Sequence, residues 1–136
     1  MLEKTISKEE VILTNVLPVG CGGFVGAALR YLAGLAAARI PGALPWGTLL
    51  VNLAGCFVMG FITGWLFTGR PERESLRLFL ATGMLGGFTT FSAFSLETFQ
   101  FIQDGRWGLA LLYVLLTAVG CLLGVSLGNG TASLLS

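Results

Sequence analysis

Gly86-Gly87-Phe88-Thr89-Thr90-Phe91-Ser92-Ala93-Phe94-Ser95 decides how this chain is read. The segment lies inside the third of four long apolar stretches, where a membrane-spanning helix should be at its most hydrophobic. Instead it carries two adjacent glycines, two threonines, two serines and three phenylalanines. Hydrocarbon offers no hydrogen bonds, so irregular backbone at depth survives only where protein covers it or an aqueous cavity borders it. The stretch therefore predicts a third helix broken near the midplane, and it marks the break as a candidate functional site.

The flanking sequence supports a membrane setting. Of 136 residues, 54% are hydrophobic and only 11% charged, whereas soluble domains carry about 25% charge. The formal net charge is +1 and no basic run appears, which argues against a nucleic-acid partner because phosphates need neutralising. Histidine is absent, and Cys21, Cys56 and Cys121 stand singly in apolar sequence. No metal-ligand spacing results. The cysteines read as small buried hydrophobes, and their odd number gives no disulfide framework.

Residues 1–11 read as a short exposed lead-in without the pattern of a signal peptide. Four apolar stretches follow, at roughly 12–40, 46–69, 76–102 and 107–128, each near the roughly 20 residues that cross the hydrocarbon. Pro41, Gly42 and Pro45 turn the chain after the first. Gly69–Ser75 reads as an aqueous loop, Asp104-Gly105-Arg106 as a short turn, and Gly128–Thr131 as a polar tail. Four spans put both termini on one side, with Lys4, Lys8, Arg70, Arg73 and Arg77 facing Arg39 and Arg106. Positive charge favours cytoplasmic termini, but the imbalance is small and is compatible with insertion in both orientations.

Glycines recur four apart at Gly22 and Gly26, at Gly60 and Gly64, and at Gly120, Gly124 and Gly128. On a helix such spacing makes a smooth strip along which another backbone packs closely. Four short helices have little interior of their own, so a second copy is the expected cover for the break. Two antiparallel copies would bring their breaks together at the midplane.

Several side chains could carry chemistry. Arg30 is the sole charge between Ile12 and Leu35; it either snorkels from near a helix end or faces a cavity. Thr48 and Asn52 share a helical face, and the asparagine either bonds another helix or presents its amide to a pathway. Phe91 and Phe94 also share a face; they either pack or offer positive ring edges to an anion. Tyr113 and Thr117 add hydroxyls one turn apart, with Ser126 beyond. Glu97 and Glu72 are not spaced as a carboxylate pair, and no base at depth could activate a serine. Enzymatic chemistry is not expected.

The segment Gly83-Met84-Leu85-Gly86-Gly87-Phe88-Thr89-Thr90-Phe91-Ser92-Ala93-Phe94-Ser95 resembles the Gly-x-x-Gly-Gly-x-Thr-Thr-Phe-Ser-Thr-Phe signature of the Fluc (CrcB-type) fluoride channels. Gly22-Gly23-x-x-Gly26-Ala27-x-x-Arg30-Tyr31 and Gly47-Thr48-Leu49-x-Val51-Asn52-x-x-Gly55 resemble that family's first- and second-helix patterns. The resemblance spans essentially the whole chain, in order. It implies an all-α protein of a bacterial inner membrane, forming an antiparallel dual-topology homodimer with two parallel fluoride pores. It further implies that Asn52, Phe91, Phe94 and Tyr113 line each pore with Thr48 and Ser92 close by. Arg30, Glu97 and Thr117 would serve the vestibule or its support. Backbone carbonyls of Gly86 and Thr89 from both protomers would hold a central structural sodium ion. Ala93 departs from the family's usual threonine, and Cys121 stands where some members have a small hydroxyl residue.

The energetics set a condition on any such route. An idealised Born transfer of a carboxylate-sized ion costs about 20 kcal/mol, and fluoride is smaller. One hydrogen bond involving a charged group returns only about 1.5–3 kcal/mol. A route must combine neutral donors, ring edges, water and fixed positive charge, in sites weak enough to release the ion. Two other classes compete with passive fluoride export. A small dual-topology proton-coupled exporter would need a carboxylate in its first helix, and none lies between Ile12 and Leu35. A non-transporting assembly subunit would need only the glycine strips.

Overall fold

A computed structural model describes residues 8–69 and 73–135. The described chain is all-helical, and four of its helical segments are long and apolar enough to cross a membrane: Ile12–Ala37, Trp46–Phe67, Glu74–Gln103 and Trp107–Ser133. The first span belongs to helix α1, Lys8–Ala37, which runs through Pro18 without ending. The second is α2, Trp46–Ile62, continued by a π-helical turn at Thr63–Phe67. The third is in two parts. We call its first part α3, residues 74–88, built from an α-turn Glu74–Arg77, a π-helical stretch Leu78–Leu85 and a last turn Gly86–Phe88. Its second part is α4, Phe91–Gln103. The fourth span is α5, Trp107–Ser133.

The turns follow from local chemistry. Ile40 N–H bonds the Ala37 carbonyl as α1 ends, before Pro41 and a Gly42 at φ 145°. After α4, Gly105 adopts φ 71°, a left-handed conformation open to glycine. Its N–H bonds the Ile102 carbonyl at 3.0 Å while Arg106 N–H bonds that of Phe101 at 2.8 Å. That paired closure satisfies carbonyls that a helix end would leave bare. Arg70, Pro71 and Glu72 of the expected aqueous loop, and residues 1–7 of the lead-in, lie outside the described residues.

One boundary differs from the sequence reading. The helix α5 continues to Ser133, through the residues read as a polar tail. Gly128 lies against the Phe57 carbonyl and Ala132 is fully buried near Gly64, so packing on α2 holds the last turns in helical form. In the third span, Gly86 and Gly87 are helical, and the extended residues are Thr89 (ψ 158°) and Thr90 (ψ 116°).

The helices associate mainly as two pairs, α1 with α3 and α2 with α5. Glycine strips form both seams. A methyl group added at Gly22 or Gly26 would collide with backbone of Phe79 or Met84, and one at Gly87 would lie 2.6 Å from the Gly23 carbonyl oxygen. Across the other seam, Gly60 meets the Val125 backbone as Gly128 meets that of Phe57. Close van der Waals packing is what joins helices in lipid, where the hydrophobic effect between them is absent. The densest side-chain core is where α4 lies on α2 and α5: Leu49, Phe101, Ala110 and Tyr113, flanked by Trp46, Leu53 and Phe94. The outer faces are apolar and uncovered, with Phe24, Leu122 and Phe91 all exposed.

Candidate functional site

The break at Thr89–Thr90 is held by named partners. An unwound residue in a membrane helix has an N–H and a C=O without helical partners, and each must find another. Asn52 supplies both for Thr90: its Oδ1 accepts the Thr90 N–H at 2.8 Å, and its Nδ2 donates to the Thr90 carbonyl at 3.1 Å. One buried side-chain amide thus replaces the missing backbone pairing across the α2–α4 gap. Arg30 Nη1 donates to the Thr89 carbonyl at 3.2 Å. Gly55 allows this approach, because a side chain there would strike the Thr89 methyl group.

Thr90 then starts the next helix. Its Oγ1 accepts the Ala93 N–H at 3.2 Å as the N-cap of α4, and it lies 3.2 Å from the Ser92 hydroxyl. Sequence reasoning passed over Thr90 as a site residue. A threonine directly before an apolar helical run is an N-cap signal, and that signal was available.

A second polar cluster lies one to two turns along α4. Glu97 accepts the Thr48 hydroxyl at Oε1 and the Tyr113 hydroxyl at Oε2, each at 2.7 Å. The carboxyl group therefore joins α2, α4 and α5 through two hydroxyl donors. Tyr113 itself is fully buried. An aromatic row runs from it: Phe94 lies 5.2 Å from Tyr113 between ring centroids, and Phe91 lies 5.5 Å from Phe94, both tilted.

Two cavities flank the break. The larger, about 590 Å³, is lined by Arg30, Thr48, Thr90, Ser92, Ala93 and Glu97 among others. The smaller, about 270 Å³, is lined by Asn52, Cys56, Thr89, Thr90, Phe91, Phe94, Thr117 and Cys121, with Ala118 completing its wall. Thr90 borders both. The residues singled out from sequence thus divide: Arg30, Thr48, Ser92 and Glu97 meet in the larger cavity, and Asn52, Phe91, Phe94 and Thr117 in the smaller. Ala93 faces the larger cavity and Cys121 the smaller.

The chemistry on offer is that of ion contact. Among the described residues, no cluster of three His, Cys, Asp or Glu side chains could hold a metal ion. The Thr117 Oγ1 is buried in the wall of the smaller cavity without a hydrogen-bond partner. Helix hydroxyls usually bond a carbonyl one turn back; this one does not. The positive end of the 13-residue α4 lies at Phe91, beside both cavities. The negative end of α3 points its last carbonyls at the same break. With Thr90 N–H given to Asn52, the Gly86 carbonyl loses its usual helical donor, and Gly86 is exposed.

Comparison with known proteins agrees with this architecture. The family model described as CrcB-like protein, Camphor Resistance (CrcB), matches residues 17–129. A protein of Novosphingobium aromaticivorans named fluoride-specific ion channel FluC is 48% identical over 127 residues, covering 88% of this chain and all of the relative. A protein of the same name from Methylobacterium nodulans is 46% identical over 113 residues, 83% of this chain and 91% of the relative. A third, from Hyphomonas neptunium, is 48% identical over 116 residues, 84% of this chain and 89% of the relative. A family match over most of the chain and this identity leave one assignment: the chain is a multi-pass membrane protein of the CrcB family, a family of ion channels rather than enzymes.

Proposed function

We propose that the protein is a passive fluoride-selective channel that exports fluoride across the bacterial inner membrane and so limits its toxicity. The observation that carries this reading is the break itself, opened at Thr89–Thr90 and bordered by cavities rich in neutral donors and ring edges. The relatives' shared name agrees with it. An anion leaving water loses tens of kcal/mol of hydration in the idealised limit. Arg30 attracts it into the larger cavity, and the positive end of α4 lowers its energy at the break. Asn52 and Ser92, the free Thr117 hydroxyl and the edges of Phe91 and Phe94 then take the place of water in turn. None of these groups is charged, so each holds the ion weakly enough to pass it on. Thr48 and Tyr113 orient Glu97, which keeps that carboxyl group engaged at the side of the route.

The working unit in this reading is an antiparallel dual-topology homodimer with two pores. The uncovered apolar faces and the exposed Gly86 support a second copy seated against α3. A sodium ion fits the donors at the break: the Gly86 carbonyl is without its helical donor, and Thr89's carbonyl keeps one lone pair beside its Arg30 bond. Gly86 and Thr89 of both copies would hold the ion, which supplies fixed positive charge and pins the two breaks together.

Fluoride-electrode recording of efflux from proteoliposomes tests the proposal. Fluoride efflux proceeds without a proton gradient and chloride does not substitute. Phe94→Ile reduces it by at least about tenfold, because an aliphatic side chain has no quadrupole to face the anion. Efflux that follows an imposed proton gradient would overturn the passive reading in favour of a proton-coupled exporter.

A further inference from the structure

We propose that Cys56 and Cys121 form a two-thiolate site for a soft, linearly coordinated d10 cation, Hg(II), Ag(I) or Cu(I), and that filling it closes the smaller cavity to ion passage. Two rows of side chains lead to this pair. On α2, Thr48, Asn52 and Cys56 follow one another at one-turn spacing; on α5, Tyr113, Thr117 and Cys121 do the same. The glycine seam brings the rows together: Gly124 of α5 has the Cys56 Cβ 3.5 Å from where its own would stand. Cys56 and Cys121 stand near each other across this seam. Both residues line the same cavity as Asn52, Phe91, Phe94 and Thr117. The remaining cysteine, Cys21, is exposed on α1 and does not line it.

Ligand type selects the cation. Thiolates prefer soft metals, and with no third His, Cys, Asp or Glu at hand among the described residues the pair does not complete the four-ligand set of a structural zinc site. Two sulfurs from packed helices suit ions that favour two-coordinate geometry. Binding forms two sulfur–metal bonds and breaks two S–H bonds, the two protons leaving to cavity water. No electron is transferred, so no oxidant is needed. The bound ion and its drawn-in sulfurs occupy a cavity of only about 270 Å³, beside the donors that serve the anion. The block of transport rests on the channel reading above; the binding site does not.

The test uses full-length protein carrying Cys21→Ser, titrated with Hg(II) while thiolate-to-mercury absorption in the ultraviolet is recorded. One equivalent per chain saturates the absorption and protects both remaining thiols from N-ethylmaleimide. In liposomes the same addition lowers fluoride efflux by at least about tenfold, since conduction needs an open path, and a dithiol restores it. Adding Cys121→Ser or Cys56→Ser removes the bis-thiolate absorption and the block, because a single thiol forms only a monothiolate adduct that does not draw the two helices' sulfurs together. Two equivalents per chain, or unprotected thiols at saturation, overturns the site without reference to any variant. Saturation with unchanged efflux overturns the block. If the Cys21→Ser protein moves no fluoride before metal is added, the channel reading fails, while the absorption and alkylation results still decide the site.

Discussion

At the scale of single residues, the organising side chain is Asn52. It is buried, and its carboxamide has one acceptor and one donor aimed at the same residue. Few other side chains can replace both halves of a peptide group's pairing. Asn52→Ala leaves the Thr90 N–H and C=O without partners. Each unpaired buried group costs about 1–3 kcal/mol, so the thermal midpoint in detergent falls clearly, along with fluoride efflux. Asn52→Asp keeps an acceptor for Thr90 N–H but sets a carboxylate oxygen against the Thr90 carbonyl in a buried site, so its midpoint falls at least as far. A midpoint unchanged in Asn52→Ala would show that the break closes by other means. Tyr113 is the second decisive residue. Tyr113→Phe keeps the ring stack on Phe94 and removes one of the two donors to Glu97. The expected loss is about 0.5–3 kcal/mol, the range for one hydrogen bond, readable by the same melting experiment with Thr48→Val as its partner in a double-mutant cycle.

At the scale of elements, the glycine strips determine which helices can touch. Gly26 and Gly20 lie on the same helix and make opposite predictions. A side chain at Gly26 runs into the Met84 backbone, whereas at Gly20 nothing lies within 4 Å. Gly26→Ala therefore forces α1 away from α3 and costs about 1–3 kcal/mol, the usual range for overpacking. Gly20→Ala is neutral or gains up to about 1 kcal/mol, as alanine is the better helix former. Equal effects of the two would mean that α1 does not pack on α3 in the membrane. The strips themselves were legible, because four-residue spacing of glycine is a local property of the chain. Their partners were not. Nothing in the strip at Gly22 and Gly26 says that it receives the π-helical stretch of α3 rather than α2.

At the scale of the whole molecule, the chain leaves large apolar faces open and its break half-covered. An exposed Gly86 whose carbonyl has lost its helical donor is ill suited to lipid alone. If two copies meet there about a two-fold axis, equivalent residues near the axis face one another. A cysteine-free protein carrying Gly86→Cys should then form a covalent dimer within the membrane under mild oxidation. A chain that remains monomeric in this assay while still moving fluoride would show that one copy suffices.

Local sequence determined the membrane class, the four spans and the presence of a break, since hydropathy and glycine content act over a few turns. Residue types around the break were legible for the same reason: Thr, Ser and Phe at that depth have few uses. Tertiary structure decided the rest. Within the stretch Gly86–Ser95 it placed the irregular backbone at Thr89-Thr90 and kept Gly86 and Gly87 helical, Gly87 in close approach to Gly23. It chose Asn52 as the partner of Thr90, 38 residues away, and gathered Thr48, Glu97 and Tyr113 from three helices. It also brought two separately spaced cysteines to one cavity. Contacts between distant segments depend on how helix surfaces fit together, and no period within one helix records that fit.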